Sequence, residues 1–237
     1  MRLNGAPLSS GNKKEKKRTM DYLSIMKSRH SVRQYKDDPI PEDIQKELNE
    51  KASELNQESG LHMQLFFNEP ECFDSLLSHY GKFTGVKNYL AIVGKKGSDL
   101  EEKAGYYGEK IVLLAQSKGL NSCWVGLTHG KSKAIIQKGE KLVILVALGY
   151  GKTQGAPHKS KPIEKLSEVK GDMPDWFKEG MEGAMLAPTA VNQQKFLIFY
   201  DGDKLTAKVN GSGFFSHVDL GIVKCDFELA SGHTFTN

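Results

Sequence analysis

Apolar residues along the chain recur with two periods, about 3.6 residues and two, and the switches between them mark out helices and strands. Leu23, Ile25 and Met26 predict a short helix starting near Met20 and ending at the polar stretch 28–33. Pro41 followed by Glu42 and Asp43 is a second helix start, with proline where no amide is needed and acids at the positive end of the dipole. Ile44, Leu48, Ala52 and Leu55 make its apolar stripe, and Gly60 ends it. Leu61, Met63, Leu65 and Phe67 alternate with His62, Gln64 and Phe66, the period of a strand. Next come a helix over 72–80, a strand over 90–93 and a long helix over 99–118 that Gly119 closes, with Ile111, Leu114 and Ala115 inward. A short strand over 122–127 and a helical turn near 131–137 follow, and the apolar run 141–148 predicts a strand buried on both faces.

Past a polar loop over 150–162 the pattern begins again. Pro174, Phe177, Met181 and Met185 keep the register of Pro41, Ile44, Leu48 and Ala52 at an offset of 133, and each unit closes in a strand-like run, 61–67 and 195–200. The interval from Gly108 to Gly119 is matched by that from Gly221 to Gly232, each enclosing an apolar helical face. These echoes predict an internally duplicated α+β chain, although helix-then-strand units look alike in any mixed protein and identities between the halves are few. The expected division is a leader over 1–19, a first half over 20–162 and a second half over 163–237.

Charge refines this division. The chain carries +4 overall, but 1–19 alone hold Arg2, Lys13, Lys14, Lys16, Lys17 and Arg18 against Glu15, leaving a net −1 on the remainder. A nucleic-acid binder concentrates positive charge on its folded surface, so no nucleic-acid partner is expected, and 1–19 read as a vector-derived or disordered leader. The longest strongly apolar stretch, 142–148, is far short of the roughly 20 residues of a membrane-spanning helix. Cys72, Cys123 and Cys225 are odd in number and widely spaced, which fits neither a disulfide scheme nor a zinc site and suits a reducing, cytoplasmic setting.

Several chemistries fail on spacing. The run Gly149-Tyr150-Gly151-Lys152-Thr153 has Val146 where a phosphate-binding loop needs glycine, and Gln154 stands at the third glycine of a dinucleotide fingerprint. No histidines lie three or four apart as a helical metal pair, so no metal is expected. Two segments remain. In Arg29-His30-Ser31-Val32-Arg33, two guanidinium groups and a hydroxyl could converge on a phosphate, or the cluster could be a solvated helix end. In Ala187-Pro188-Thr189-Ala190-Val191-Asn192-Gln193-Gln194, amide side chains beside a rigid proline could read the edge of a heteroaromatic ring, or the stretch could simply end a helix.

Together these segments resemble the FMN-dependent nitroreductase family. Arg29 to Tyr35 is similar to its opening motif, and Ala187 to Phe196 to its second motif, small-Pro-Ser-x-x-Asn-x-Gln-Pro-Trp, with Lys195-Phe196 where Pro-Trp is usual. Gly119 to Leu127 resembles the family's flavin-contacting strand, and Lys159-Ser160-Lys161-Pro162 its late basic element. The motif order departs from the usual: Asn192 lies 161 residues beyond Ser31, and the first half lacks the second motif at its matching place, 55–59. The resemblance is therefore to a divergent single-chain branch, with a nitroreductase-like fold in which two similar halves form an intrachain pseudo-dimer around one flavin site.

On this resemblance Arg29, Ser31 and Arg33 hold the FMN phosphate, with Lys159 and Lys161 adding charge from the late loop, and His30 belongs to the same cofactor-binding motif, where its ring could simply pack. Pro188, Thr189 and Asn192 line the isoalloxazine ring, and the backbone of Val125, Gly126 and Leu127 lies near its reactive nitrogen. No dedicated catalytic acid or base is required. The implied activity is ping-pong electron transfer from NADH or NADPH, through FMN, to a nitroaromatic, quinone or flavin acceptor. The alternative is a flavin-binding or storage protein without turnover. The partners implied are small molecules, not a membrane, and the chain is expected to be a monomer with pseudo-dimer architecture, its further assembly left open.

Overall fold

A computed structural model describes residues 20–236; the leader expected over 1–19 lies outside them. Helix α1 (Tyr22–Ser28) is capped by Asp21, whose side chain accepts the Ser24 N–H at 3.1 Å. Helix α2 (Glu42–Ser59) starts after Pro41 and stops at Gly60, whose left-handed φ of 72° suits glycine. Strand β1 (His62–Phe66), the short helix α3 (Leu76–Tyr80), strand β2 (Asn88–Lys95) and helix α4 (Leu100–Ser117) follow. Strands β3 (Asn121–Val125) and β4 (Glu140–Gly149) complete a four-stranded antiparallel sheet of order β1-β2-β4-β3. Strand β5 (Ser167–Val169), helix α5 (Asp175–Leu186), strands β6 (Phe196–Tyr200) and β7 (Leu205–Val209) and helix α6 (Ser216–Ser231) form the second part. Its small sheet has order β5-β6-β7, with β5 parallel to β6.

Strands β2 and β4 are buried on both sides because each separates two cores. Leu90, Ile92, Ile144, Val146 and Leu148 face a large core shared with the helices, whereas Tyr89, Ala91, Leu145 and Ala147 face a smaller one that Val32, Tyr35, Phe73 and Phe83 close. Two short strands, β5 and β7, escaped the sequence pattern. The helical turn expected near 131–137 is absent, and the segment is irregular. Its amides bond to side chains instead: Lys133 N–H donates to the Tyr89 hydroxyl at 3.0 Å, Ile135 N–H to Gln64 Oε1 at 2.9 Å and Gln137 N–H to Glu140 Oε2 at 2.8 Å.

Helices α4 and α6 cross at backbone contact. A Cβ placed on Gly105 would lie 2.0 Å from Val218 O, and one on Gly221 would lie 1.9 Å from Glu102 O. The contact is reciprocal, since Gly105 also meets Ile222 and Gly221 meets Tyr106. The two glycines at the crossing, Gly105 and Gly221, are 116 residues apart, whereas the expected pairing of Gly108 with Gly221 spans 113. No helix among the described residues is long and apolar enough to cross a membrane.

Candidate functional site

A cleft of about 930 Å³ opens where β3 leaves the four-stranded sheet, and segments distant in sequence form its walls. Past α1 the backbone becomes extended at Arg29, and Ser31 forms a parallel bridge with Ser122 of β3, the Val32 N–H donating to Ser122 O at 3.0 Å. Extended backbone sends neighbouring side chains to opposite sides, so Val32 enters the smaller core while Ser31 and Arg33 face the cleft. The Arg33 guanidinium lies 6.0 Å from the centroid of the Phe83 ring.

The opposite wall is the loop after α5. Ala187 is extended (φ −57°, ψ 131°), as the residue before a proline should be. Beyond Pro188 the loop is strained, with Val191, Asn192 and Gln194 at φ of 47°, 55° and 46°. Such conformations cost of order 1–3 kcal/mol each and persist only when surroundings enforce them. Asp219 of α6 supplies part of that enforcement by accepting the Ala190 N–H at 3.0 Å and Gln193 Nε2 at 2.6 Å. Lys161 Nζ supplies more by donating to Gln193 O at 2.7 Å and Gln194 O at 3.0 Å, and both Asn192 Nδ2 and Gln194 Nε2 donate to Lys159 O at 3.0 Å.

The remaining wall joins β3 to α6. Trp124 lines the cleft, and its indole Nε1 donates backwards to Glu109 Oε2 at 3.0 Å. Phe215 precedes α6 at a left-handed φ of 60° and packs flush on Gly126, where a Cβ would sit 2.3 Å from its ring. The rim is apolar and open: Val191 is 98% exposed, Phe214 81% and Leu127 67%.

The charged side chains along these walls are Arg33, Lys195 and Asp219. Lys195 donates to Ser212 O. Burial pushes the Asp219 carboxyl up to about 6, against the opposing hydrogen bonds from Gln193 and Ala190. Burial, with Arg29 adding to it, lowers His30, and burial raises the Cys123 thiol. The arrangement offers a hydroxyl and a guanidinium at one side, aromatic and proline surfaces for a flat ring, and no activated nucleophile.

Six of the residues expected from sequence meet at this cleft: Ser31, Arg33, Gly126, Leu127, Pro188 and Thr189. The other six lie elsewhere. Val125 is buried in the smaller core, and His30 packs on Gly155, where a Cβ would lie 2.7 Å from the His30 Cβ. Lys159, Lys161 and Asn192 bind the strained loop together. Arg29 is 3% exposed and lies among the buried carboxylates Glu109 and Asp226. Sequence reasoning missed Trp124, Lys195, Gln193, Phe215 and Asp219 as wall residues. The first three stood inside the segments already singled out, whereas Asp219 gave no signal beyond a carboxylate on an otherwise apolar helical face. No group of three or more metal-ligating side chains occurs among the described residues.

A family described as "Putative TM nitroreductase" matches residues 21–231. Among solved structures, a "putative nitroreductase" of Thermotoga maritima MSB8 is 21% identical, with a TM-score of 0.64 over 94% of this chain and 88% of that one. A nitroreductase-like protein of Streptococcus mutans is 16% identical, with a TM-score of 0.53 over 62% of this chain and 97% of that one. A "putative nitroreductase" of Desulfovibrio desulfuricans, solved in complex with FMN, is 15% identical, with a TM-score of 0.51 over 65% of this chain and 98% of that one. No curated protein matches the sequence. The family match over residues 21–231 establishes that this chain belongs to the nitroreductase family so described, and the Thermotoga maritima protein shares its fold.

Proposed function

We propose that the chain is an FMN-dependent oxidoreductase that passes electrons from NADH or NADPH to a nitroaromatic, quinone or flavin acceptor in a ping-pong cycle. The observation that carries this reading is the meeting of Ser31 and Arg33 with Pro188 and Thr189 across one cleft, although the two pairs lie more than 150 residues apart. The residues fit the group. Pockets for ligands of this size run to roughly 300–1,000 Å³, and the cleft, at about 930 Å³, falls within that range. Arg33 has no carboxylate partner among the described residues, which leaves its fork of donors for a phosphate. The FMN complex of the Desulfovibrio desulfuricans protein supports the choice of cofactor.

FMN, when bound, supplies the two-electron chemistry. Ser31 and Arg33 would hold its phosphate, and Trp124, Phe215 and Pro188 would give flat surfaces that orient the ring. The exposed apolar rim of Leu127, Val191 and Phe214 would receive the donor and the acceptor at the mouth of the cleft. Asp219, through Ala190 and Gln193, keeps the loop wall in place. The reciprocal α4–α6 crossing supports an intrachain pseudo-dimer, with the opening motif supplied by the first half and the proline loop by the second. Equilibrium binding of FMN, followed by steady-state NADH and NADPH oxidation with a quinone, tests the reading. Tight binding with turnover well above that of free FMN is expected; tight binding without turnover would make this a flavin-storage protein.

A further inference from the structure

Behind the cleft, the end of α1 and helices α4 and α6 enclose three ionisable side chains: Arg29 is 3% exposed, Glu109 0% and Asp226 1%. Arg29 Nη1, Glu109 Oε1 and Asp226 Oδ1 are all buried and have no hydrogen-bond partner among the described residues. Among the described residues, the one side-chain hydrogen bond to the cluster runs from the Trp124 indole N–H to Glu109 Oε2, at 3.0 Å, and Trp124 lines the cleft. The far edge of the same indole rests on Gly108, where a Cβ would lie 2.6 Å from ring carbon Cη2, so the ring is fixed from two sides.

Charge balance constrains the cluster. One guanidinium and two ionised carboxylates would bury a net −1 in the core, a state whose desolvation cost is removed by taking up a proton. Two carboxyls beside one arginine then titrate as a pair. The groups facing Glu109 are Arg29 from the end of α1 and Asp226 with the neighbouring Cys225 thiol from α6, while β3 contributes the neutral Trp124. Ile92 of β2, which meets Gly108, is apolar, and the Lys27–Glu182 ion pair between α1 and α5 lies at the surface.

We propose that Glu109, buried near Arg29 and Asp226, is a positioning residue that holds the Trp124 indole in the cleft wall, and that Arg29 serves the flavin site through this cluster, not by touching the phosphate. The proposal rests on the FMN reading of the cleft. It extends that reading by assigning a role to three buried ionisable groups that binding of the cofactor does not itself use.

The test uses the full chain carrying Trp176→Phe, which leaves Trp124 as the one tryptophan and removes an indole stacked on His233 at 4.0 Å that would report a separate titration. Trp124 emission is followed against pH without flavin, and the FMN Kd is measured by equilibrium dialysis. A single emission transition near neutral pH is expected, abolished by both Glu109→Gln and Glu109→Leu. Glu109→Gln, which keeps an acceptor for the indole, should hold the FMN Kd within about twofold, whereas Glu109→Leu should raise it tenfold or more. Trp124→Phe removes the same hydrogen bond from the other side and should also raise the Kd, which covers the case in which Glu109→Leu does not fold. Unchanged emission behaviour and unchanged Kd in a folded Glu109→Leu protein, or an unchanged Kd in Trp124→Phe, would overturn the proposal. Failure of the unsubstituted chain to take up FMN would instead defeat the flavin reading, while the emission titration would still report on the Glu109 contact.

Discussion

Replacing Asp219 by asparagine tests whether the cleft is maintained at a cost to the fold. Asp219 is 4% exposed, and its carboxyl is pushed up to about 6 from an ordinary value of 3.8, chiefly by burial. At about 1.4 kcal/mol per unit, ionising it in the native protein costs on the order of 3 kcal/mol more than ionising it in the unfolded chain. The sign follows from linkage. Below pH 3.8 the group is protonated in both states and carries no penalty. Between pH 3.8 and about 6 the unfolded chain ionises first and native stability falls, and above about 6 the penalty is complete. The amide of the Asp219→Asn variant has no charge to bury, so the stability of the variant relative to the original should rise by about 2.4 kcal/mol from roughly pH 4 to pH 8. The constant difference between amide and carboxyl hydrogen bonds cancels in that comparison. Urea unfolding of the flavin-free protein at the two pH values measures it. A stability difference that does not change with pH, or that shrinks as pH rises, would refute the reasoning. The loop is the functional counterpart: Asp219→Ala, which removes both acceptors, should release the strained backbone at 191–194 and weaken FMN binding severalfold.

Three further outcomes are expected. Arg33→Ala removes the cleft's unpaired guanidinium, and at roughly 1.5–3 kcal/mol for a charged hydrogen bond it should weaken FMN binding tenfold or more by equilibrium dialysis, whereas an unchanged Kd would remove Arg33 from the phosphate site. Gly105→Ala pushes a methyl into Val218 O and should destabilise the chain by about 2 kcal/mol or more in urea unfolding, since overpacking a tight contact costs roughly 1–3 kcal/mol and here backbone meets backbone. All three cysteines are buried and have raised thiol values, Cys72 up to about 12, so a thiol reagent at about pH 8 should modify none of them until the protein unfolds.

The site was partly legible in sequence because its two motifs are local. Ser31 and Arg33 reach the cleft since the extended stretch after α1 sends Val32 to the opposite side, and Pro188 and Thr189 reach it since the proline fixes where α5 ends. Side-chain destinations set by distant partners were not legible. Nothing adjacent to Arg29 in the chain reveals Glu109 and Asp226, and nothing near Lys161 reveals that its ammonium is occupied by the carbonyls of Gln193 and Gln194. The same limit governs the fold. Periodicity gave α2, α4 and β4 because burial repeats within each element, but the backbone at 131–137 follows Tyr89 and Gln64, side chains from other strands. The two helices that carry the glycine echo do pack together, but the glycines at their crossing are Gly105 and Gly221, not the pair Gly108 and Gly221 that the echo matched.

The central claim is that this cleft holds FMN and exposes it to a nicotinamide reductant. Its most direct test is the visible spectrum of the purified, FMN-loaded chain without oxygen, before and after one equivalent of NADPH or NADH. The account predicts protein-bound flavin absorption that bleaches on addition and returns when a quinone is supplied. A chain that retains no FMN after gel filtration, and whose spectrum is that of the polypeptide alone, would contradict it.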